Sequence, residues 1–152
     1  DHLVTDVSRG WPCNGKYSER QKLLYECAYR TSQHMFEILK PGIHMLDVDK
    51  MIREYNYGQL KEAGVCSSYD EIGTYMWHGG AHHIGFDVHD MVSAREAVTE
   101  AGMVFCVDIG IYHEEWGIGF RLEDNCLITA EGCRNLSADI PRTVEEIESV
   151  MK

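Results

Sequence analysis

An acid inside an apolar strand constrains this chain more than any other feature. Asp108 stands in the run Met103-Val104-Phe105-Cys106-Val107-Asp108-Ile109-Gly110-Ile111-Tyr112, where an unpaired carboxylate would lose its hydration without compensation. Together with residues 119–129 this run is rich in Val, Ile, Phe and Cys, and residues 113–118 between the two carry a hairpin signal. A turn centred between Glu115 and Trp116 sets an antiparallel register in which Asp108 faces Glu123 and Tyr112 faces Gly119. Cross-strand partners have Cβ atoms about 5 Å apart, so two carboxylates there repel unless a proton or a cation lies between them. Two arrangements relieve the conflict: a shared metal ion, or an ion pair with Arg121, two residues from Glu123 on the same strand face.

The histidines point toward the metal. Residues 78–90 hold His78, His82, His83 and His89, half of the eight in the chain. Packing does not account for that density, whereas neutral imidazole binds divalent metals and titrates near neutral pH. Spacing leaves open which ring is a ligand and which a proton donor. Residues 69–90 are otherwise glycine-rich and read as an irregular stretch with short extended pieces, the kind of loop on which function resides.

The rest of the chain supplies a scaffold. Residues 1–8 read as a strand already under way, followed by turn chemistry at Trp11-Pro12-Cys13-Asn14-Gly15-Lys16. Ser18 with Gln21 is a capping-box pair, and Leu24, Cys27, Thr31, Met35 and Ile38 recur at helical spacing, which predicts a helix over 19–39 closed by Lys40-Pro41-Gly42. A second helix is expected from an Asp47 cap to Gly64, with Gly58 weakening its middle, and a short acidic helix over the tail, 141–152. Strand, helices, then strands make an α+β protein.

Composition narrows the partners. With 152 residues, 44% of them hydrophobic, the chain suits one globular domain. Its longest apolar run, 103–107, is far too short for a bilayer span, so no membrane is expected. A net charge of -11 repels phosphate backbones, which excludes nucleic acid. The six cysteines, at 13, 27, 66, 106, 126 and 133, show no C-x-x-C pair and read as reduced thiols of a cytoplasmic protein. Cys27, Cys106 and Cys126 lie in apolar segments, where a thiol packs as a small hydrophobe.

Four stretches together resemble the pita-bread metallopeptidases, in their Xaa-Pro aminopeptidase and prolidase branch. That family's patterns are D-x-T-R-T-x-P-x-N-G, H-G-x-x-H-x-x-G-x-x-x-H-(E/D), T-x-E-P-G-x-Y and G-x-R-x-E-D. Here they read Asp6-Val7-Ser8-Arg9-Gly10-Trp11-Pro12-Cys13-Asn14-Gly15, then His78-Gly79-Gly80-Ala81-His82 through His89-Asp90. The third and fourth read Cys106-Val107-Asp108-Ile109-Gly110-Ile111-Tyr112 and Gly119-Phe120-Arg121-Leu122-Glu123-Asp124. The resemblance implies a pita-bread fold with a curved antiparallel sheet, two long helices and a short C-terminal one. Residues 1–152 would be the C-terminal portion of a catalytic domain, N-terminally truncated.

The same resemblance implies that Asp6 and Glu123 bridge two metals and that His82 and Asp108 bind one of them. His89 would contact the scissile peptide, His78 would line the substrate pocket, and Arg121 would orient the carboxylates. Such a ligand set suits Mn²⁺ first, with Co²⁺, Fe²⁺ or Zn²⁺ also allowed by donor type. The implied reaction is removal of the N-terminal residue from a peptide substrate with proline in second position, by a metal-activated water.

Two departures shape the expectation. Asp108-Ile109 stands where the family carries Glu-Pro, retracting the carboxylate by about 1.5 Å against a usual site tolerance of about 0.5 Å. The family's further Asp, eleven positions before the one matching Asp6, falls outside this chain, and Asp1 would point to the opposite face of a strand. An incomplete dinuclear centre, little peptidase activity from this chain by itself, and a homodimer covering the open sheet edge are expected. Two other functions stay in view: a peptidase-like binding module that has lost catalysis, and a metal-free hydrolase resembling creatinase. The second ranks lowest because Asp6, His82 and Glu123 are all retained.

Overall fold

The hairpin that buries Asp108 is the centre of the computed structural model, which describes residues 2–90 and 97–151. Strand β2 (Val104–His113) and strand β3 (Ile118–Ile128) pair antiparallel with Asp108 opposite Glu123 and Tyr112 opposite Gly119, the register expected from the turn. Gly117, at φ +61°, closes that turn with its N–H on the Glu114 carbonyl. Two three-residue strands, β1 (Ala81–His83) and β4 (Cys133–Asn135), flank the hairpin in the order β1-β2-β3-β4, all antiparallel.

Helix α1 (Glu19–Ile38) begins at the Ser18–Gln21 capping box, both reciprocal bonds present, and ends one residue before the expected position. Helix α2 (Met45–Glu62) runs unbroken through Gly58. Its cap is His44 and not Asp47: residues 43–44 are held extended against 98–99, with Ile43 and Thr99 exchanging bonds and His44 bridging Val98. The helix therefore starts earlier, and Asp47 becomes an acid in its first turn, where the dipole favours negative charge. A one-turn helix α3 (Ile72–Tyr75) occupies part of the stretch expected to be irregular, and α4 (Val144–Val150) closes the chain with a Thr143–Glu146 capping box.

One face of the sheet is the core. Phe105, Val107, Ile109 and Ile111 from β2, with Leu122, Cys126 and Ile128 from β3, pack against Leu24, Cys27, Ala28 and Met35 of α1 and Val48, Ile52 and Leu60 of α2. Cys27 and Cys126 are small hydrophobes here, as expected. Cys106 is equally buried but is not among the core residues, because alternation along β2 turns it to the other face with Asp108.

The expected opening strand does not form as such. Residues 2–7 carry no strand pairing, and only Ser8 bridges Glu123 on β3; Asp1 lies outside the described residues. Its backbone bonds go instead to scattered partners, Val4 to the Gly85 carbonyl and Asp6 to the Asn125 side chain.

Candidate metal centre

The sheet face opposite the core collects the chemistry. His82 of β1 lies directly across from Cys106 of β2, and Asp108 directly across from Glu123 of β3. Asp6 is delivered by the N-terminal segment, which is tied to β3 through Ser8 at Glu123 and through Thr5 and Asp6 at the Asn125 side chain. Ser8 and Glu123 exchange backbone bonds of 3.3 and 3.1 Å, and the Arg9 guanidinium donates to the Ser8 and Glu123 carbonyls and to Asp124 Oδ1 at 2.7 Å.

Asp6, His82, Cys106 and Glu123 each turn one donor atom to a common point, all four atoms within 4.8 Å of one another. His82 Nε2 is 3.1 Å from Glu123 Oε1 and 3.8 Å from Asp6 Oδ2. Its Nδ1 lies 3.3 Å from the His83 carbonyl. Assigning the proton to Nδ1 leaves Nε2 turned to the group, as a metal ligand requires. Glu123 Oε2 accepts from Ser8 Oγ at 2.7 Å.

Asp108 stands beside this group and not within it. Its Oδ2 accepts from Arg121 Nη1 at 3.3 Å and lies 3.3 Å from His78 Nδ1, while Oδ1 is buried with no partner among the described residues. Of the two arrangements expected for the hairpin acids, the ion pair with Arg121 forms at Asp108, while Glu123 pairs with His82. The pairing with Arg121 is not enough. Burial first, and then the charge of Glu123, pushes the Asp108 carboxyl up to about 7. Asp6 is raised for the same two reasons. At Glu123 burial acts upward, but hydrogen bonds from His82 and Ser8 outweigh it and hold the carboxyl below its ordinary range. His82 is the mirror case, burial acting downward and the bonds to Glu123 and the His83 carbonyl raising it. Three acids share one partly dry space, and an orphaned buried oxygen faces no donor. That donor set fits a divalent cation, whose charge would relieve every one of these conflicts.

The remaining predicted residues form the rim. His78 Nδ1 donates to the Gly79 carbonyl at 2.8 Å, which leaves Nε2 to accept from the Tyr112 hydroxyl at 2.9 Å; Arg121 Nε donates to that same hydroxyl at 3.1 Å. Burial lowers the His78 pKa, which favours the neutral ring that this chain of bonds uses. His89 is exposed and meets the His82 ring edge-on, centroids 4.5 Å apart. Trp77, also exposed, stacks on Tyr112 at 4.4 Å.

Several positioning residues escaped the sequence reading. Asp49 accepts the Gly80 N–H, and Arg53, four residues on, donates to the Met76 and His78 carbonyls at 3.3 and 3.2 Å, so α2 holds the loop that carries His78. An acid and a base at i, i+4 on a helix more often pair with each other, which hides this role. Cys106 was not read as a donor, because in a run of apolar side chains a thiol reads as a small hydrophobe.

Comparison with known proteins agrees with this geometry. A profile of metallopeptidase family M24 matches residues 1–130. Xaa-Pro aminopeptidase 1 of Streptomyces coelicolor is 34% identical over 171 aligned residues, covering 99% of this chain and 35% of that protein. A Bacillus anthracis structure described as an aminopeptidase P superposes with a TM-score of 0.94 at 37% identity, over 99% of this chain and 36% of its own. Zn-substituted Escherichia coli aminopeptidase P, solved with product, gives 0.87 at 30% identity over 99% and 38%. The chain spans about a third of the length of the curated relatives it matches. Its architecture is the α+β pita-bread fold of those structures, and no described helix is long and apolar enough to cross a membrane. With the profile spanning most of its length and the acids and imidazole gathered on one sheet face, the chain belongs to metallopeptidase family M24.

Proposed function

We propose that the full-length protein containing this chain is a divalent-metal-dependent peptidase that removes the N-terminal residue from peptides with proline in second position. The observation that carries this reading is the convergence of Asp6, His82 and Glu123, from three separate segments, beside the raised carboxyl of Asp108. The names borne by its relatives, Xaa-Pro aminopeptidases of Streptomyces coelicolor, Haemophilus influenzae and Escherichia coli, support the substrate class.

Asp6, His82 and Glu123 would hold the ion, with Asp108 joining through its free Oδ1. When bound, a divalent ion supplies Lewis acidity and activates water at neutral pH. The chain's own side chains do the rest. Arg121 fixes Asp108 on one side and the Tyr112 hydroxyl on the other. His78, neutral and held by Tyr112, forms the pocket wall with Trp77, and exposed His89 is free to reach the scissile peptide. Three carboxylates and one imidazole rank Mn²⁺ first among the candidate ions, ahead of Co²⁺, Fe²⁺ and Zn²⁺. Six unbridged thiols fit a reducing, cytoplasmic setting.

The test uses the full-length protein, stripped with chelator and reloaded with Mn²⁺. We expect metal-dependent release of the first residue from Xaa-Pro peptides, and a loss of about 100-fold or more in metal affinity and activity on His82→Ala. Full metal loading with no hydrolysis would sink the catalytic reading. It would favour a peptidase-like binding module, a second reading that the short Asp108, already engaged by Arg121 and His78, supports.

A further inference from the structure

We propose that Cys106 is itself a ligand of this ion, giving a mixed sulfur, nitrogen and oxygen site that selects a thiophilic divalent cation of the Zn²⁺ class; the proposal rests on the metal-centre reading above. The register places the sulfur. Cys106 is directly across from His82, whereas Asp108 is two residues further along β2, about 7 Å at strand spacing. A donor group gathered over His82 therefore meets position 106 before position 108, and Sγ is one of its four atoms.

The surroundings of the thiol are polar. Cys106 is fully buried, yet its Sγ faces the Asp6 carbonyl at 4.0 Å and Asn125 Oδ1 at 3.8 Å, contacts at the outer limit for sulfur. Cys126, equally buried, sits among apolar core side chains, and the polar neighbour of Cys27 is a cation, the Arg30 guanidinium at 3.6 Å, where those of Cys106 are oxygen acceptors. A second observation points the same way: among the described residues, buried Asp108 Oδ1 on this sheet face has no hydrogen-bond partner, an acceptor left open beside the sulfur. Two exchanges also coincide in one motif, Cys106 for Thr and Asp108 for Glu. Where the carboxylate is drawn back by one methylene, a thiolate stands on the same strand face one pleat away.

Bond lengths of about 2.0–2.1 Å to nitrogen and oxygen and about 2.3 Å to sulfur bring tetrahedral donors about 3.3–3.6 Å apart. The four atoms, now within 4.8 Å of one another, would close by up to about 1.3 Å to reach that spacing. On binding, the thiol proton passes to solvent and a metal–sulfur bond forms. A thiolate strengthens the site for Zn²⁺, Co²⁺ and Cd²⁺ much more than for Mn²⁺, which revises the order that the oxygen donors alone give.

The experiment is cobalt and cadmium substitution of the chelator-stripped full-length protein. With Co²⁺ bound at measured stoichiometry, wild type and Cys13→Ser should show a near-ultraviolet sulfur-to-metal charge-transfer band that Cys106→Ser and Cys106→Thr lack. Zn²⁺ affinity should drop at least about tenfold in Cys106→Ser, with Mn²⁺ affinity moving far less. The ¹¹³Cd resonance of the wild type, which needs no variant to fold, should lie downfield in the range of a sulfur-ligated ion. Bound Co²⁺ without the band, a band that survives Cys106→Ser, or a cadmium shift typical of oxygen and nitrogen alone overturns the sulfur ligand and leaves the metal centre standing. Failure of wild type to bind any of these ions overturns both.

Discussion

Asp108 has a carboxyl whose folded-state pKa, about 7, lies well above its ordinary value of 3.8. Such a group favours folding while it is protonated and opposes it once ionised. In metal-free protein its contribution is therefore complete below about pH 4, is lost as the pH rises through 7, and stays lost above. The shift corresponds to up to about 4 kcal/mol. Asp108→Asn, neutral throughout, should gain on wild type between pH 4 and 7 in chemical denaturation with chelator present. Parallel profiles for the two proteins would refute this. Added divalent metal should erase the wild-type decline. This acid and its partner Glu123 were readable in the sequence because a charge inside an apolar run has few explanations. Cys106 was not, because β2 is buried on both faces. When both faces are dry, the two-residue alternation no longer separates core from site, and a thiol looks apolar in either place.

Among the elements, those with local chemistry were legible and those built by distant contacts were not. The capping box of α1 and the hairpin register depend on residues a few positions apart. The early start of α2 depends on residues 98–99, and β4 exists only as an edge added to β3; neither has a local signal. Glycines separate the two kinds of position by experiment. Gly58 is exposed in the middle of α2 with open space where a Cβ would go, so Gly58→Ala should stabilise by about 0.5–1 kcal/mol. At Gly110 the same methyl would meet the His78 ring and the Tyr112 ring. Gly110→Ala should cost about 1–3 kcal/mol and disturb the bond between His78 and Tyr112. Urea titrations of both variants read the two signs directly, and like signs would contradict the packing described.

Across the whole molecule the decisive tie is Arg9. Its guanidinium reaches the Ser8 and Glu123 carbonyls, the Pro141 carbonyl and the buried carboxylate of Asp124, which Arg142 also approaches at 3.0 Å. One side chain joins the first segment, β3 and the approach to α4. Arg9→Ala removes the charged hydrogen bonds of this tie while Arg142 and Ser137 still hold Asp124, and should cost about 1.5–3 kcal/mol in urea denaturation; a loss below about 1 kcal/mol, the size of an exposed pair, would mean the tie is ornamental. The donor atoms at 6, 82, 106 and 123 have a consequence of another kind. They come from segments far apart in sequence and meet only after the helices, the hairpin and the segment carrying Asp6 have all docked. An unfolded chain cannot pre-form such a pocket. Whatever ion lodges there acts as a reversible stitch through the finished molecule, tightening it by about 2.7 kcal/mol at a hundredfold excess over the dissociation constant, and its supply in the surrounding medium would set how long the native form survives.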